Sequence, residues 1–206
     1  MEQPRIFRYD TVDSTNTVCK SLAAQGAPSG TAVIARRQTA GRGRMGRSFE
    51  SPEGLGLYLS VLWRAGGTPE DLLPPTPMAA VSAAGAIRRV TGAPVRIKWP
   101  NDLVLEGRKL AGILTEASLS GRGVDYVVIG IGVNCNQKRF PEELSMATSL
   151  RIEGGSPVDV NAVAAALLLE LSRMRREFLT RKDAWVRAFA ETCLTVGKDV
   201  QILRAG

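Results

Sequence analysis

The sequence predicts an α+β domain, a mixed and mostly antiparallel sheet flanked by helices. Three observations carry that expectation. Short β-rich apolar runs recur between clusters of Gly, Pro, Asn and Asp, the spacing of strands joined by tight turns. Two longer stretches, Met78 to Thr91 and Asn161 to Arg181, have helical composition, the second repeating its apolar residues at helical intervals. The 206 residues, 44% hydrophobic and 23% charged, suffice for one buried core.

In chain order, Ile6 to Tyr9 reads as a short strand. Asp13, Ser14, Thr15 and Asn16 set four capping-type residues in a row before a helix that runs to Gly26, which suits a C′ position. Those residues either cap the helix redundantly or present hydroxyls, an amide and N–H groups to a polar or anionic ligand. Thr31 to Arg37 and Leu55 to Trp63 are runs of strand length. Between them, Gly41 to Arg47 (GRGRMGR) packs three glycines and three arginines into seven residues. Glycine lets a backbone lie close against a ligand, and arginine offers a planar fork of donors matched to phosphate or carboxylate oxygens. The expected guest is a polyanion. Gly41, Gly43 and Gly46 formally match a dinucleotide fingerprint, but Ser51, Pro52 and Gly54 break the helix that such a fingerprint must open.

Arg64 to Pro77 reads as a breaker-rich loop, and Met78 to Thr91 as a helix of small residues packed on a sheet. Val95 to Trp99, Leu103 to Leu105 and Lys109 to Ala117 form a ladder of short strands turning at Pro100–Asp102 and Glu106–Arg108. Lys98, Asn101 and Asp102 are left clustered at a strand end. After a turn at Gly121 to Gly123, Asp125 to Val133 is an apolar strand ending in Asn134. Gly130 and Gly132 share one of its faces, which leaves room for a ligand or for close packing. Pro141 to Gly155 reads as irregular, Asp159 as the cap of a long helix, and Asp183 to Cys193 as a further helix. Val196 to Gly206 reads as the first strand of another unit.

Composition excludes several chemistries. There is no histidine, so Ser-His-Asp and Cys-His nucleophiles and His-ligated metals are ruled out. Cys19, Cys135 and Cys193 are odd in number and widely spaced, which indicates neither a disulfide framework nor a zinc site and fits a reducing cytosol. No apolar run approaches the roughly 20 residues of a membrane span. A net charge of +7 fits nucleic acid or phosphorylated ligands equally.

Four strings stand in order: Asp13 to Asn16, Gly41 to Arg47, Lys98 to Leu103 (KWPNDL) with Arg108 to Ile113 (RKLAGI), and Ile129 to Asn134 (IGIGVN). Together they resemble the catalytic domain of biotin–protein ligases, over roughly Phe7 to Thr192. The resemblance implies a class II aminoacyl-tRNA-synthetase-like architecture and a two-step ligation. Biotin and Mg·ATP give biotinyl-5′-AMP and pyrophosphate, and the mixed anhydride then acylates one lysine of a biotin carboxyl-carrier protein domain. It carries Ser14, Thr15, Asn16 and Gln38 over as biotin contacts, with Gly112 and Ile113 as pocket wall. Arg42, Gly43 and Arg44 become the loop that folds over the intermediate, and Lys109 the catalytic lysine, with Arg42 and Arg44 beside it. Gly132, Val133 and Asn134 lie where the acyl-adenylate is met. Phe49 stands where the family usually has tryptophan and keeps an aromatic face for adenine.

Asn101 and Asp102 orient either a lysine or metal-bound phosphates in this picture, or cap a turn; Mg²⁺ leaves no ligand signature in the sequence. The chemistry agrees with the residues present, because attack of a carboxylate on an α-phosphate needs fixed cations and no histidine. Neighbouring readings are a lipoate or octanoate ligase, or a binder of biotinyl-adenylate with weak transfer. The resemblance also implies a catalytic domain over residues 1–194 and the start of a truncated SH3-like β-domain at 195–206, without a preceding winged helix-turn-helix. A cytoplasmic protein without a DNA or membrane partner is expected, with an exposed sheet edge suited to a homodimer.

Overall fold

The computed structural model describes residues 5–64, 75–120, 123–178 and 180–201. Within them the chain forms β1 (Ile6–Val12), α1 (Thr15–Ala24), β2 (Ala32–Gln38), β3 (Gly56–Trp63), α2 (Pro75–Thr91), β4 (Arg96–Lys98) and β5 (Asp102–Leu105). Then follow β6 (Arg108–Ser120), β7 (Gly123–Asn134), α3 (Leu150–Gly154), α4 (Val160–Glu177) and α5 (Lys182–Thr192). The seven strands make one sheet in the order β1-β2-β3-β7-β6-β5-β4. Only β1 and β2 are parallel, and α1 supplies the crossover that a parallel pair requires. The sheet is mixed and mostly antiparallel, as the alternation of short runs and tight turns predicts.

Successive strand residues point to opposite faces, and the two faces are used differently. On one side Leu57, Leu59, Val61 and Trp63 of β3 and Val127, Ile129, Ile131 and Val133 of β7 meet Met78, Ile87, Leu167 and Leu171 of α2 and α4. This is the main core. On the other side Val33, Leu62 and Val128 pack against Cys19 and Ala23 of α1. A single ten-residue helix covers only part of that face, and the remainder carries the candidate site.

Three expectations are corrected. The helix expected from Met78 begins at Pro75, with prolines in the first turn, where a missing N–H costs nothing. The span from Pro141 to Gly155, expected to be irregular, holds a 3₁₀ turn at Glu142–Leu144 and α3, whose five residues are too few to show a period. Ser149 caps α3 by accepting from Ile152 N at 3.1 Å. Val196 to Gln201 carry no strand; residues 202–206 of that expected strand lie outside the described residues, as do 65–74 of the expected loop and Gly121 and Arg122 of the expected turn. Asp159 caps α4 as expected, accepting from Asn161 N at 2.8 Å. Among the described residues no helix is long and apolar enough to cross a membrane.

Candidate active site

One register row explains where the site forms. Lys98 pairs with Asp102, Asp102 with Gly112, Gly112 with Gly132, Gly132 with Tyr58, Tyr58 with Ala35 and Ala35 with Tyr9, a row across all seven strands. Its central member, Gly132, and the neighbouring Gly112 are glycines, and the next row on this face places Gly130 between Leu114 and Ser60. The middle of the sheet is therefore bare on this face. A cavity of about 280 Å³ lies over it, close to the lower end of ligand-sized pockets. Gly130 and Gly132 serve close packing as well as space: a Cβ at Gly132 would stand 2.5 Å from the Phe49 ring, and one at Gly130 would collide with the Asn16 amide.

The floor is built by the N-terminus of α1 and the end of β2. Ser14, Thr15 and Asn16 are all buried, and none acts as a side-chain cap of its own helix at Ser14. Thr15 N donates to Gln38 Oε1 at 2.9 Å, and Thr15 Oγ1 lies 3.1 Å from the same oxygen. Ser60 Oγ stands 2.7 Å from Thr15 Oγ1 and 2.6 Å from Asn16 Oδ1. Gln38 Nε2 donates to Ser51 Oγ at 2.8 Å, which donates onward to the Phe49 carbonyl at 3.0 Å. Of the two readings of these residues the structure favours the second for Thr15 and Asn16, whose side chains bond across the pocket floor, while Ser14 lines the cavity without capping its helix.

The loop Gly41–Arg47 closes over this floor. Arg42 pairs with Ser48 as an antiparallel bridge, Gly43 N donates to Arg47 O at 2.6 Å, and Phe49 N donates to Gly41 O at 2.9 Å. Gly41 has no room for a side chain, since a Cβ there would collide with the Phe49 carbonyl. Arg44 reaches across to Asn101 Oδ1 at 3.4 Å. Asn101 is itself fixed to β6, its Nδ2 donating to Ile113 O and its carbonyl accepting from Ile113 N, both at 2.9 Å.

Lys109 reaches the pocket by a backbone irregularity. The register between β5 and β6 shifts so that Val104 faces Lys109 while Leu103 faces Ala111, leaving Leu110 as an extra residue. Leu110 and Ala111 both enter the main core, and the bulge rotates Lys109 onto the same face as Gly112. Its backbone is held by Met146 O at 2.7 Å and Thr148 N at 2.8 Å. Lys109 Nζ lies 2.9 Å from Asp102 Oδ1, an ion pair at the edge of the cavity.

The cavity thus brings together Ser14, Thr15, Asn16, Gln38, Arg42, Gly43, Arg44, Phe49, Asn101, Asp102, Lys109, Gly112, Ile113 and Gly132. Two expected members stand apart. Val133 points its side chain into the main core. Asn134 is buried away from the cavity, its Nδ2 donating to Thr148 O at 3.0 Å and its Oδ1 accepting from Gln137 at 3.2 Å.

Sequence reasoning missed Ser51, Ser60 and above all Glu116. Glu116 accepts from Asn16 Nδ2 at 2.7 Å, Lys20 Nζ at 2.9 Å and Arg42 Nη2 at 2.6 Å. Burial raises its carboxyl pKa, but hydrogen bonds from Asn16, Lys20 and Arg42 outweigh that and hold it below the usual value. The signal was the single carboxylate of β6, two residues past Leu114 on the strand face that carries Gly112. The cysteines offer no chemistry: all three are buried, and burial pushes Cys19 and Cys135 up to about 12. Among the described residues no group of three acidic or Cys/His side chains is placed to hold a metal.

Residues 9–134 match the profile of the biotin/lipoate A/B protein ligase family. The bifunctional ligase/repressor BirA of Bacillus subtilis is 40% identical over 182 residues, 85% of this chain and 55% of that protein. The biotin–[acetyl-CoA-carboxylase] ligase of Mycobacterium tuberculosis is 34% identical over 92% of this chain and 71% of its own length. The chain spans about half the length of the first of the curated relatives it matches. Among solved structures, the biotin protein ligase from Aquifex aeolicus in complex with biotin and ATP superimposes with a TM-score of 0.82 at 31% identity, covering 98% of this chain and 84% of that one. With the family profile lying over the strands and loop that build the cavity, and relatives matching most of the chain, this protein belongs to the biotin/lipoate A/B protein ligase family.

Proposed function

We propose that this chain activates biotin with ATP and transfers the biotinyl group to a lysine of a biotin carboxyl-carrier protein domain. One observation carries the reading: Lys109 and the loop arginines Arg42 and Arg44 line the same small cavity as the buried hydroxyls and amides of Ser14, Thr15, Asn16 and Gln38. The polar floor suits the ring end of biotin, and the cations suit the place where its carboxylate meets the nucleotide. A biotin carboxylate oxygen bonds to the α-phosphorus as the bond to the β-phosphate oxygen breaks, releasing pyrophosphate. The carrier lysine, as free amine, then attacks the acyl carbon; AMP leaves and the amine gives up a proton. Two anions must be held together while negative charge builds, and fixed cations in a partly enclosed site do this without a protein nucleophile.

Lys109 is the catalytic lysine in this reading, with Asp102 and Asn101 setting the position of Lys109 and Arg44. Phe49 and Gly132 offer an apolar surface to the adenine, while Val133 and Asn134 support the strand beneath. Mg²⁺ arrives with ATP. Asp102 is a carboxylate lining the cavity, and Mg²⁺ takes one or two carboxylates besides phosphate oxygens and water, so the donors fit a metal delivered by the nucleotide. Residues up to 194 act as the catalytic domain in this reading. The protein works in the cytoplasm without a DNA partner, and the open edge at β1, where Ile6 is 52% exposed, is the surface for a side-by-side homodimer.

The test is release of pyrophosphate on mixing the chain with Mg·ATP and biotin, followed by biotinylation of an added carrier domain. Biotin-dependent release is expected. Release with lipoate and not biotin would move the assignment to a lipoate ligase, tight retention of the adenylate without transfer would make it a binder, and no release with either acid would end the reading.

A further inference from the structure

Glu116 stands on β6 where the strand's apolar alternation leads into the pocket face, and every acceptor position of its carboxylate is engaged. Oε1 accepts from Lys20 Nζ at 2.9 Å and Arg42 Nη2 at 2.6 Å; Oε2 accepts from Asn16 Nδ2 at 2.7 Å and the same arginine nitrogen at 2.5 Å. Asn16 and Lys20 lie one turn apart on α1, and Arg42 lies in the loop between β2 and β3, so one carboxylate joins three elements.

A carboxylate can only accept, and that fixes the sense of its neighbours. Asn16 must turn its Nδ2 toward Glu116, which leaves Oδ1 facing Ser60 Oγ at 2.6 Å. Ser60 then spends its single proton on Asn16 and is open to accept from Thr15 Oγ1, 2.7 Å away. At the next link Gln38 Oε1 accepts from Thr15 N–H, so its Nε2 donates to Ser51, and Ser51 donates to the Phe49 carbonyl. The sense imposed by Glu116 therefore runs through Asn16 and Ser60 to the Thr15 hydroxyl, while Gln38 and Ser51 take theirs from the Thr15 backbone N–H. Arg42, chelated by Glu116, is a tie for the loop.

We propose that Glu116 is a positioning residue that sets the direction of the Asn16–Ser60–Thr15 hydrogen bonds on the pocket floor and latches the Gly41–Arg47 loop through Arg42. The assignment of biotin as the ligand held there rests on the function proposed above; the latch itself does not. A Glu116→Gln side chain has the same shape but brings an NH₂ against the donors of Asn16, Lys20 and Arg42, so the floor loses its fixed sense and the loop its tie. Glu116→Asp keeps the charge on a stem shorter by one methylene.

Both variants of the full chain are compared with the parent by amide hydrogen exchange of peptides spanning residues 41–47 without ligand, and by kcat and KM in biotin-dependent pyrophosphate release. Loss of charge-assisted bonds predicts roughly 10- to 100-fold faster loop exchange in Glu116→Gln and a biotin KM raised by a similar factor, with kcat and the KM for ATP changed far less. Glu116→Asp is expected to recover part of both. Unchanged loop exchange in Glu116→Gln overturns the latch whether or not the chain ligates biotin, and an unchanged biotin KM overturns the role on the floor. A parent chain that releases no pyrophosphate sinks the ligase reading alone, and the exchange data still decide on Glu116.

Discussion

Lys109 separates function from stability. Its ammonium group pairs with Asp102, yet its side chain is 43% exposed, and ion pairs that open to solvent contribute only about 0–1 kcal/mol. Lys109→Gln is therefore expected to leave the thermal midpoint within a few degrees of the parent, while removal of a preorganised cation from a charge-building step costs ~10²–10³ in rate. Pyrophosphate release and a melting curve on the same preparation check both halves. Asp102 and Asn101 were read as partners for a lysine or for phosphates, and the structure gives them Lys109 and Arg44 respectively as neighbours. Glu116 escaped the sequence reading because its partners come from residues 16, 20 and 42, and no local pattern brings those together.

At the scale of elements, β7 turns two glycines into a surface. Gly130 and Gly132 occupy alternate positions on one strand face, and each seats a different side chain, Asn16 over the first and Phe49 over the second. The two substitutions to alanine should differ in kind. Asn16 is 3% exposed and held by Ser60 and Glu116, so Gly130→Ala has nowhere to send the amide and is expected to cost about 1–3 kcal/mol by overpacking. The Phe49 ring is only partly buried and can shift, so Gly132→Ala should unfold at a denaturant midpoint near the parent's but show a raised KM for substrate. Urea titrations of the two variants, with kinetics on the second, give the comparison. Equal loss of stability in both would mean that the Phe49 ring is as firmly fixed as the Asn16 amide.

Across the whole molecule the sheet divides labour. Its helix-covered side holds the main core, and the side covered by α1 and the loop holds polar bonds that fold and bind at once. Acid should reveal the second side. The Glu116 pKa is depressed in the folded state, so the folded chain binds fewer protons there than the unfolded chain does. The stabilisation from its ionised form is fully present above the unfolded value near 4.5 and is lost as pH falls through the lower folded value. Urea midpoints of the parent and Glu116→Gln should keep a constant separation from neutral pH down to about 5 and draw together below 4.5. A separation that does not narrow in acid would remove Glu116 as the titrating group.

The sequence by itself determined the sheet, every helix but α3 and most of the site's membership, because those depend on local signals. Alternating apolar runs mark strands, capping residues mark the start of α1, and GRGRMGR declares both backbone freedom and charge within seven residues. What only the tertiary structure decided depends on register and long-range pairing. A plain period of two would send Lys109 into the core with Ala111 and Ile113; the extra residue at Leu110, set by how β5 pairs with β6, turns it to the pocket instead. Val133 differs: neighbours on a strand face opposite ways, so its place in the core follows from the alternation already present in the sequence. Asn134 was settled by Thr148 and Gln137, and Glu116 by three donors from two other elements, contacts that exist only once the chain has closed on itself.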